Sequence, residues 1–197
     1  MKASGIWMKA GWTLVIAMAI LACAKEDRYQ QMVARELAKG VRVDSLFFGI
    51  YLGMPSKDFF DHCLQLNHRQ LITQGPGGLS VQHIMKNELK QQAVMRFFPG
   101  FYDNKIYQMP VIYEYSAWAP WNRNLWADSL LVDLLAYYQT KYEGDFLPFP
   151  DSTGKLTYYK VDGNRQIALS KLNDREVEVV FTDLLVDPTV KPEEDEE

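Results

Sequence analysis

Apolar and polar positions divide the chain into two unlike parts. From Ala10 to Ala24 the one clearly polar side chain is Thr13, whereas beyond Lys25 apolar positions recur at helix or strand spacing. The first periodic stretch, Glu26 to Lys39, predicts a helix. Tyr29, Met32, Val33 and Leu37 share one stripe, acids stand at its start and Gly40 follows as a C-terminal cap. Asp44 to Leu52 is apolar and aromatic and reads as a buried strand or an extended lead-in, which Gly53-Met54-Pro55 then breaks. Ser56 is placed to cap a second helix with Asp58 in its first turn, and Phe59, Phe60, Cys63, Leu64 and Leu66 form the expected buried side.

The next signals have period two. Gly75-Pro76-Gly77-Gly78 is a turn, and Leu79, Val81, His83 and Met85 alternate with Ser80 and Gln82 as a half-buried strand would. Ala93 to Phe98 reads as a strand, Tyr102 to Lys105 as a turn, and Ile106 to Tyr115 as a strand whose Pro110 predicts an edge or a bulge. The linker Ser116 to Asn122 leads to a long helix from about Asn124 to Tyr142, with Leu125, Leu130, Leu131, Leu134, Leu135 and Tyr138 on its apolar side. Phe146 to Gly154 reads as loop. Two or three closing strands are expected over Leu156 to Val161, Arg165 to Lys171 and Glu176 to Thr182, with turns at Asp162-Gly163-Asn164 and Asn173-Asp174. In the last strand Val177, Val179 and Phe181 face one side and Glu176 and Glu178 the other.

Hairpin spacing excludes a parallel doubly wound sheet. The expected fold is α+β, an antiparallel sheet with helices packed on one face, and the element order also admits two helix-then-strands halves. With 197 residues, one domain is the natural count. The expected organisation is a signal peptide over 1–22 that forms a signal helix, a lipid-anchored tether and helix over 23–44, a single α+β domain over 45–186 and a disordered acidic tail over 187–197. Hydrophobic residues make up 48% and charged residues 23% of the chain, which excludes collagen, coiled coil, a multi-spanning membrane protein and wholesale disorder.

Charge sharpens the division. Met1 to Ala22 carries Lys2 and Lys9 and no acid, so removing it takes the basic count from 21 to 19 against 25 acids, and the net charge from -4 to -6. Much of that charge sits in Glu193-Glu194-Asp195-Glu196-Glu197. The acidic balance argues against a nucleic-acid partner. A basic start, a short apolar run and small residues near a cut are the layout of a secretory signal.

Ile20-Leu21-Ala22-Cys23 resembles the lipobox of bacterial envelope lipoproteins, which are cleaved before the cysteine and lipidated on it. The resemblance implies a membrane partner through lipid on Cys23. The alternative is an ordinary signal peptide cut after Ala22-Cys23-Ala24. Ala24-Lys25-Glu26-Asp27 looks like the tag, lysine then two acids, that sends lipoproteins to the surface in one branch of Gram-negative bacteria; a solvated tether is the alternative. The implied location is the outer membrane of a Gram-negative cell envelope. With Cys23 acylated, Cys63 has no partner in the chain and reads as a small buried hydrophobe.

Phe48 to Lys57, with Gly53-Met54 before the second helix and a meander after it, resembles the start of a module in the BamE (SmpA/OmlA) group. The β-lactamase inhibitor BLIP is similar to two such modules in tandem. The resemblance covers Gly49 to Tyr115. It departs from the group after the helix, where Asn67-His68-Arg69 replaces a small glycine-proline ending. It implies help with outer-membrane protein assembly, or inhibition of an enzyme, and carries over no binding residue.

No catalytic constellation stands out. His62 and His68 are six apart on a helix, which does not place them on one face for a metal, and His83 is remote. There is no Gly-x-Ser-x-Gly elbow and no phosphate-cradling loop. Asp128 and Asp133 lie five apart on a helix and diverge. No catalytic residue, metal or cofactor is therefore expected. Glu114, between Tyr113 and Tyr115, is a functional carboxylate if it points into a cleft. Tyr102, Tyr107, Tyr113, Tyr115, Trp118, Trp121 and Trp126 crowd one stretch, where aromatics pack a core or, exposed, stack on a sugar or anchor a protein. Trp118, Trp121, Tyr115 and Glu114 are the candidate binding residues. The expected function is a non-enzymatic module for an envelope protein or glycan. The alternatives are a carboxylate-dependent enzyme on envelope carbohydrate and a structural spacer.

Overall fold

Strand alternation gives this chain a strongly apolar sheet face, and two of its helices cover it. The computed structural model describes residues 28–78, 80–186 and 188–189. The segment expected to be a signal peptide, 1–22, lies outside the described residues, as do Cys23, Leu79 and the acids at 193–197. Among the described residues there are three α-helices: α1 (residues 28–37), α2 (Ser56–His68) and α3 (Ala127–Tyr142). The strands are β1 (Thr73–Gln74), β2 (Val81–Met85), β3 (Ala93–Phe97), β4 (Gly100–Tyr102), β5 (Lys105–Tyr115), β6 (Leu147–Pro150), β7 (Leu156–Asp162), β8 (Arg165–Lys171) and β9 (Glu176–Asp183). They form one antiparallel sheet in the order β1-β2-β3-β5-β9-β8-β7-β6, with β4 also pairing β5.

The α+β class holds, and the chain divides into two halves. In the first, α2 precedes β1 to β5; in the second, α3 precedes β6 to β9. The last strands of the halves, β5 and β9, pair at the centre of the sheet. Each of these helices is also capped by its own half. The backbone N–H of Ser56 at the start of α2 donates to the Asn104 carbonyl in the turn before β5 (2.7 Å). The N–H of Ala127 at the start of α3 donates to the Asp174 carbonyl in the turn before β9 (3.0 Å). A helix leaves its first N–H groups unpaired, and here the hairpin turns supply the acceptors. Ser56 is thus not a cap: Pro55 holds the N-cap position and no side chain caps the helix.

The core lies between the sheet and these two helices. Met109, Val111, Val177, Val179, Phe181, Ile167 and Leu169 face it, with Phe59 and Leu66 from α2 and Leu130, Leu134 and Tyr138 from α3. Phe60 and Leu64, expected inside, are 53% and 57% exposed, because α2 meets the sheet along a narrower stripe than its apolar residues cover. Asp44 to Leu52 is not a strand. Ser45 bridges Tyr51, Phe48 and Gly49 take positive φ, and the Ile50 N–H returns to the Phe47 carbonyl (2.9 Å). A strand would send alternate residues outward, whereas this turn buries Leu46, Phe47, Ile50 and Leu52 together.

α1 corrects the expectation of helices on one face. Tyr29 packs on Tyr159 and Phe149, with ring centroids 5.0 and 5.8 Å away, and its hydroxyl bonds the Gln166 side chain. Gln166 alternates with the buried residues Arg165 and Ile167, so α1 lies on the opposite face, over β6 to β8. The chain then passes round the β7–β8 turn, where the Asn164 side chain accepts from the Val43 N–H (2.6 Å) and donates to Asp44 and Asp183. Arg42 reaches Asp183 (2.8 Å), and Arg165 donates to the Ser45 carbonyl.

Three smaller expectations also change. Phe146 to Gly154 contains an edge strand, β6, whose Pro148 and Pro150 are tolerated because one side of an edge strand has no partner. Gly100–Tyr102 is a further strand. Pro110 belongs to a central strand, and the register places it beside the Phe98-Pro99 break between β3 and β4. α3 starts at Ala127, after a short 3-10 turn over Arg123–Leu125.

Gly163 lies at φ 56°, and a Cβ there would run into the Val41 carbonyl oxygen. Gly163→Ala should therefore lose about 2 kcal/mol or more of stability. Gly154→Ala, at φ 83° but facing open space, should lose only about 1 kcal/mol. Urea unfolding of the two variants checks the contrast.

Candidate functional site

β5 delivers two neighbouring candidates to opposite faces. Glu114 stands on the face away from the main core, directly across from Glu176 on β9. Like charges directly opposite each other on paired strands repel. Arg96 on β3 relieves this: Nη1 donates to Glu114 Oε1 (3.0 Å) and Nη2 to Glu176 Oε1 (2.8 Å). The planar guanidinium suits that double contact, which an ammonium would make less well. Arg175 Nε donates to Glu114 Oε2 (2.7 Å), and Asn173 donates to Glu176 Oε2 (2.8 Å). Burial opposes ionisation of Glu114, but the bonds and charges of Arg96 and Arg175 outweigh it, so the carboxyl titrates below its ordinary value. A carboxylate held ionised this way is a poor general acid.

Tyr115 points into the other face. Its hydroxyl donates to Asp133 Oδ2 on α3 (2.6 Å), and Lys90 Nζ meets Asp133 Oδ1 (2.7 Å). Burial, then the bond and the charge of Asp133, push the Tyr115 phenol well above its usual value. These groups line a cleft of about 460 Å³, with Gln91, Asn124, Asp128, Ser129 and Val132. Asp128 and Asp133 thus border one cleft, although their carboxylates take different partners: Asp128 is bound by Lys171 (2.9 Å).

The structure does not bring the four candidate binding residues into one site. Trp118 joins the Glu114 group, with the Arg175 guanidinium 5.5 Å from its ring centroid and its own indole N–H on the Asp174 carbonyl (3.3 Å). Trp121 is 86% exposed. Arg96, Arg175 and Lys90 carried no reading in the sequence, and Glu176 and Asp133 were read without a site role. Arg96 was the one with a signal, a charge inside the apolar run Ala93 to Phe98, but its partners lie 18 and 80 residues away.

Two of the three histidines, His62 and His83, serve the fold. His62 Nε2 meets the Phe48 carbonyl and His83 Nδ1 the Leu71 carbonyl, each at 2.6 Å. Burial pushes the half-buried Cys63 thiol up to about 11, which disfavours the reactive thiolate. Among the described residues no group of three or more His, Cys, Asp or Glu is placed to hold a metal ion, and no helix is long and apolar enough to cross a membrane. No protein-family profile, curated protein or solved structure matches the chain.

Arg96→Leu leaves Glu114 and Glu176 facing each other with one fewer cation. It should cost about 2–4 kcal/mol in urea unfolding, and adding Glu114→Gln should recover part of the loss. The depressed Glu114 pKa also fixes a pH window. The folded state holds the proton less tightly than the unfolded state, so this contribution is complete above the ordinary value of 4.5 and is lost as pH falls through the folded value. Glu114→Gln should flatten that part of the stability–pH curve measured by thermal unfolding.

Proposed function

We propose that this protein is an exported, lipid-anchored envelope module that binds a protein or a glycan and does no chemistry of its own. The anchor rests on the sequence, a basic start and a short apolar run ending at Cys23. Two helix-then-strands halves in one sheet are the element order of the tandem modules that the Gly53-Met54 segment resembles, which supports a role in outer-membrane protein assembly or in inhibiting an enzyme. The observation that carries the binding role is the linker after β5. It presents Trp121 almost fully to solvent, while Trp118 in the same linker is held by Arg175, the partner of Glu114. A large exposed indole is the type of side chain that anchors a protein or stacks on a sugar ring.

The cleft bordered by Asp128 and Asp133 favours the second reading, a carboxylate-dependent enzyme on envelope carbohydrate. One experiment separates the two: incubation of the lipidated protein with solubilised envelope proteins and with purified cell-wall glycan. A partner retained by the wild type and bound about tenfold more weakly by Trp121→Ala, with thermal stability unchanged, is the expected result. Equal retention by both proteins overturns the role of the linker. Release of soluble sugar that Asp133→Asn abolishes overturns the non-enzymatic reading.

A further inference from the structure

α1 settles which part of the domain lies nearest Cys23. Five chain steps separate Cys23 from Arg28, the first described residue, and even fully extended they span only about 17 Å. The next residue, Tyr29, is pinned against Phe149 of β6 and Tyr159 of β7. Wherever Cys23 is held, this corner of the sheet is therefore held close to the same place.

The corner has the chemistry of an interfacial surface. Leu147 sits across from Tyr159 and is 39% exposed, and Phe149 is half-buried beside it. Tyr29, Phe149 and Tyr159 pack as a cluster of amphipathic and apolar rings, with centroids 5.0 to 5.9 Å apart. Aromatic side chains of this kind favour the boundary between headgroups and acyl chains. The cluster and its buried neighbours Met32 and Val161 are also separate from the main core, so it is a local surface feature on the face that α1 covers.

A second protein strand is a poor occupant for the same edge. Among the described residues β6 is the last strand of the sheet, and its pairing with β7 leaves one side open. Pro148 and Pro150 remove the N–H donors that an added strand would need.

We propose that the β6 edge, with Tyr29, Leu147, Phe149 and Tyr159, rests on the bilayer that holds the lipid anchor. The inference rests on lipidation of Cys23. Seated this way, the domain turns α2 and the exposed Phe60 and Leu64 away from the membrane, because α2 packs on the opposite face of the sheet.

The test uses the full lipidated chain in vesicles of phosphatidylethanolamine with a minority of phosphatidylglycerol. One environment-sensitive fluorophore is attached through Leu147→Cys and, in a second sample, through Leu64→Cys, each on a Cys63→Ala background. An apolar face seated about 5–10 Å into the interface comes within reach of brominated acyl chains. The label at 147 should then lose about half or more of its fluorescence to brominated lipid, and the label at 64 should lose little. Equal quenching at both positions, or stronger quenching at 64, overturns the orientation while leaving the anchor intact. Failure of the protein to sediment with the vesicles, matched by an unlipidated Cys23→Ser control, overturns the anchor and the orientation with it.

Discussion

The pairing of β5 with β9 is the constraint on which the rest of the structure depends. It joins the two helix-then-strands halves, and its register runs from Gln108 opposite Thr182 to Glu114 opposite Glu176. On one face this register lines up Met109 with Phe181, Val111 with Val179 and Tyr113 with Val177, all of them buried. Burying one such side chain contributes about 1.5–3 kcal/mol, so this row is a large part of what holds the halves together. A shift by one residue would send every member of the row to the other face.

The same register creates the charge problem on the opposite face. Two glutamates are forced into direct opposition, and the protein answers with Arg96 from β3 and Arg175 from the turn before β9. That turn holds three things at once: Asp174 caps α3, Asn173 bonds Glu176, and Arg175 links Glu114 to Trp118. The candidate binding linker is thus braced by the central seam. The equivalent turn before β5 caps α2 through Asn104. This shared capping scheme relates the halves although their residues show no clear identity.

The closing strands were legible because each alternates cleanly and each turn carries glycine or asparagine at the bend. β7, β8 and β9 lie within a residue of where their pattern placed them. α3 was legible for the same reason, a long stripe at helical spacing. Phe60 and Leu64 misled because periodicity reports an apolar face without reporting how wide a neighbour will cover it. Leu46 to Leu52 misled because a continuous apolar run fits a buried strand and a buried turn equally well. β6 was hidden by its prolines, which are excluded from a central strand but not from an edge.

The linear order of residues carries the local grammar: the apolar run before Cys23, the helix and strand periods, the turns, and the alternation that gives the sheet an apolar face. These depend on neighbours a few positions apart, so a linear reading reaches them. Folding in three dimensions set that α1 crosses to the other face, that Tyr115 meets Asp133 on α3, and that Arg96 reaches Glu176 eighty residues on. Those outcomes are set by strand order and register. Both are chosen by the packing free energy of the whole sheet, and no short window of the chain contains it.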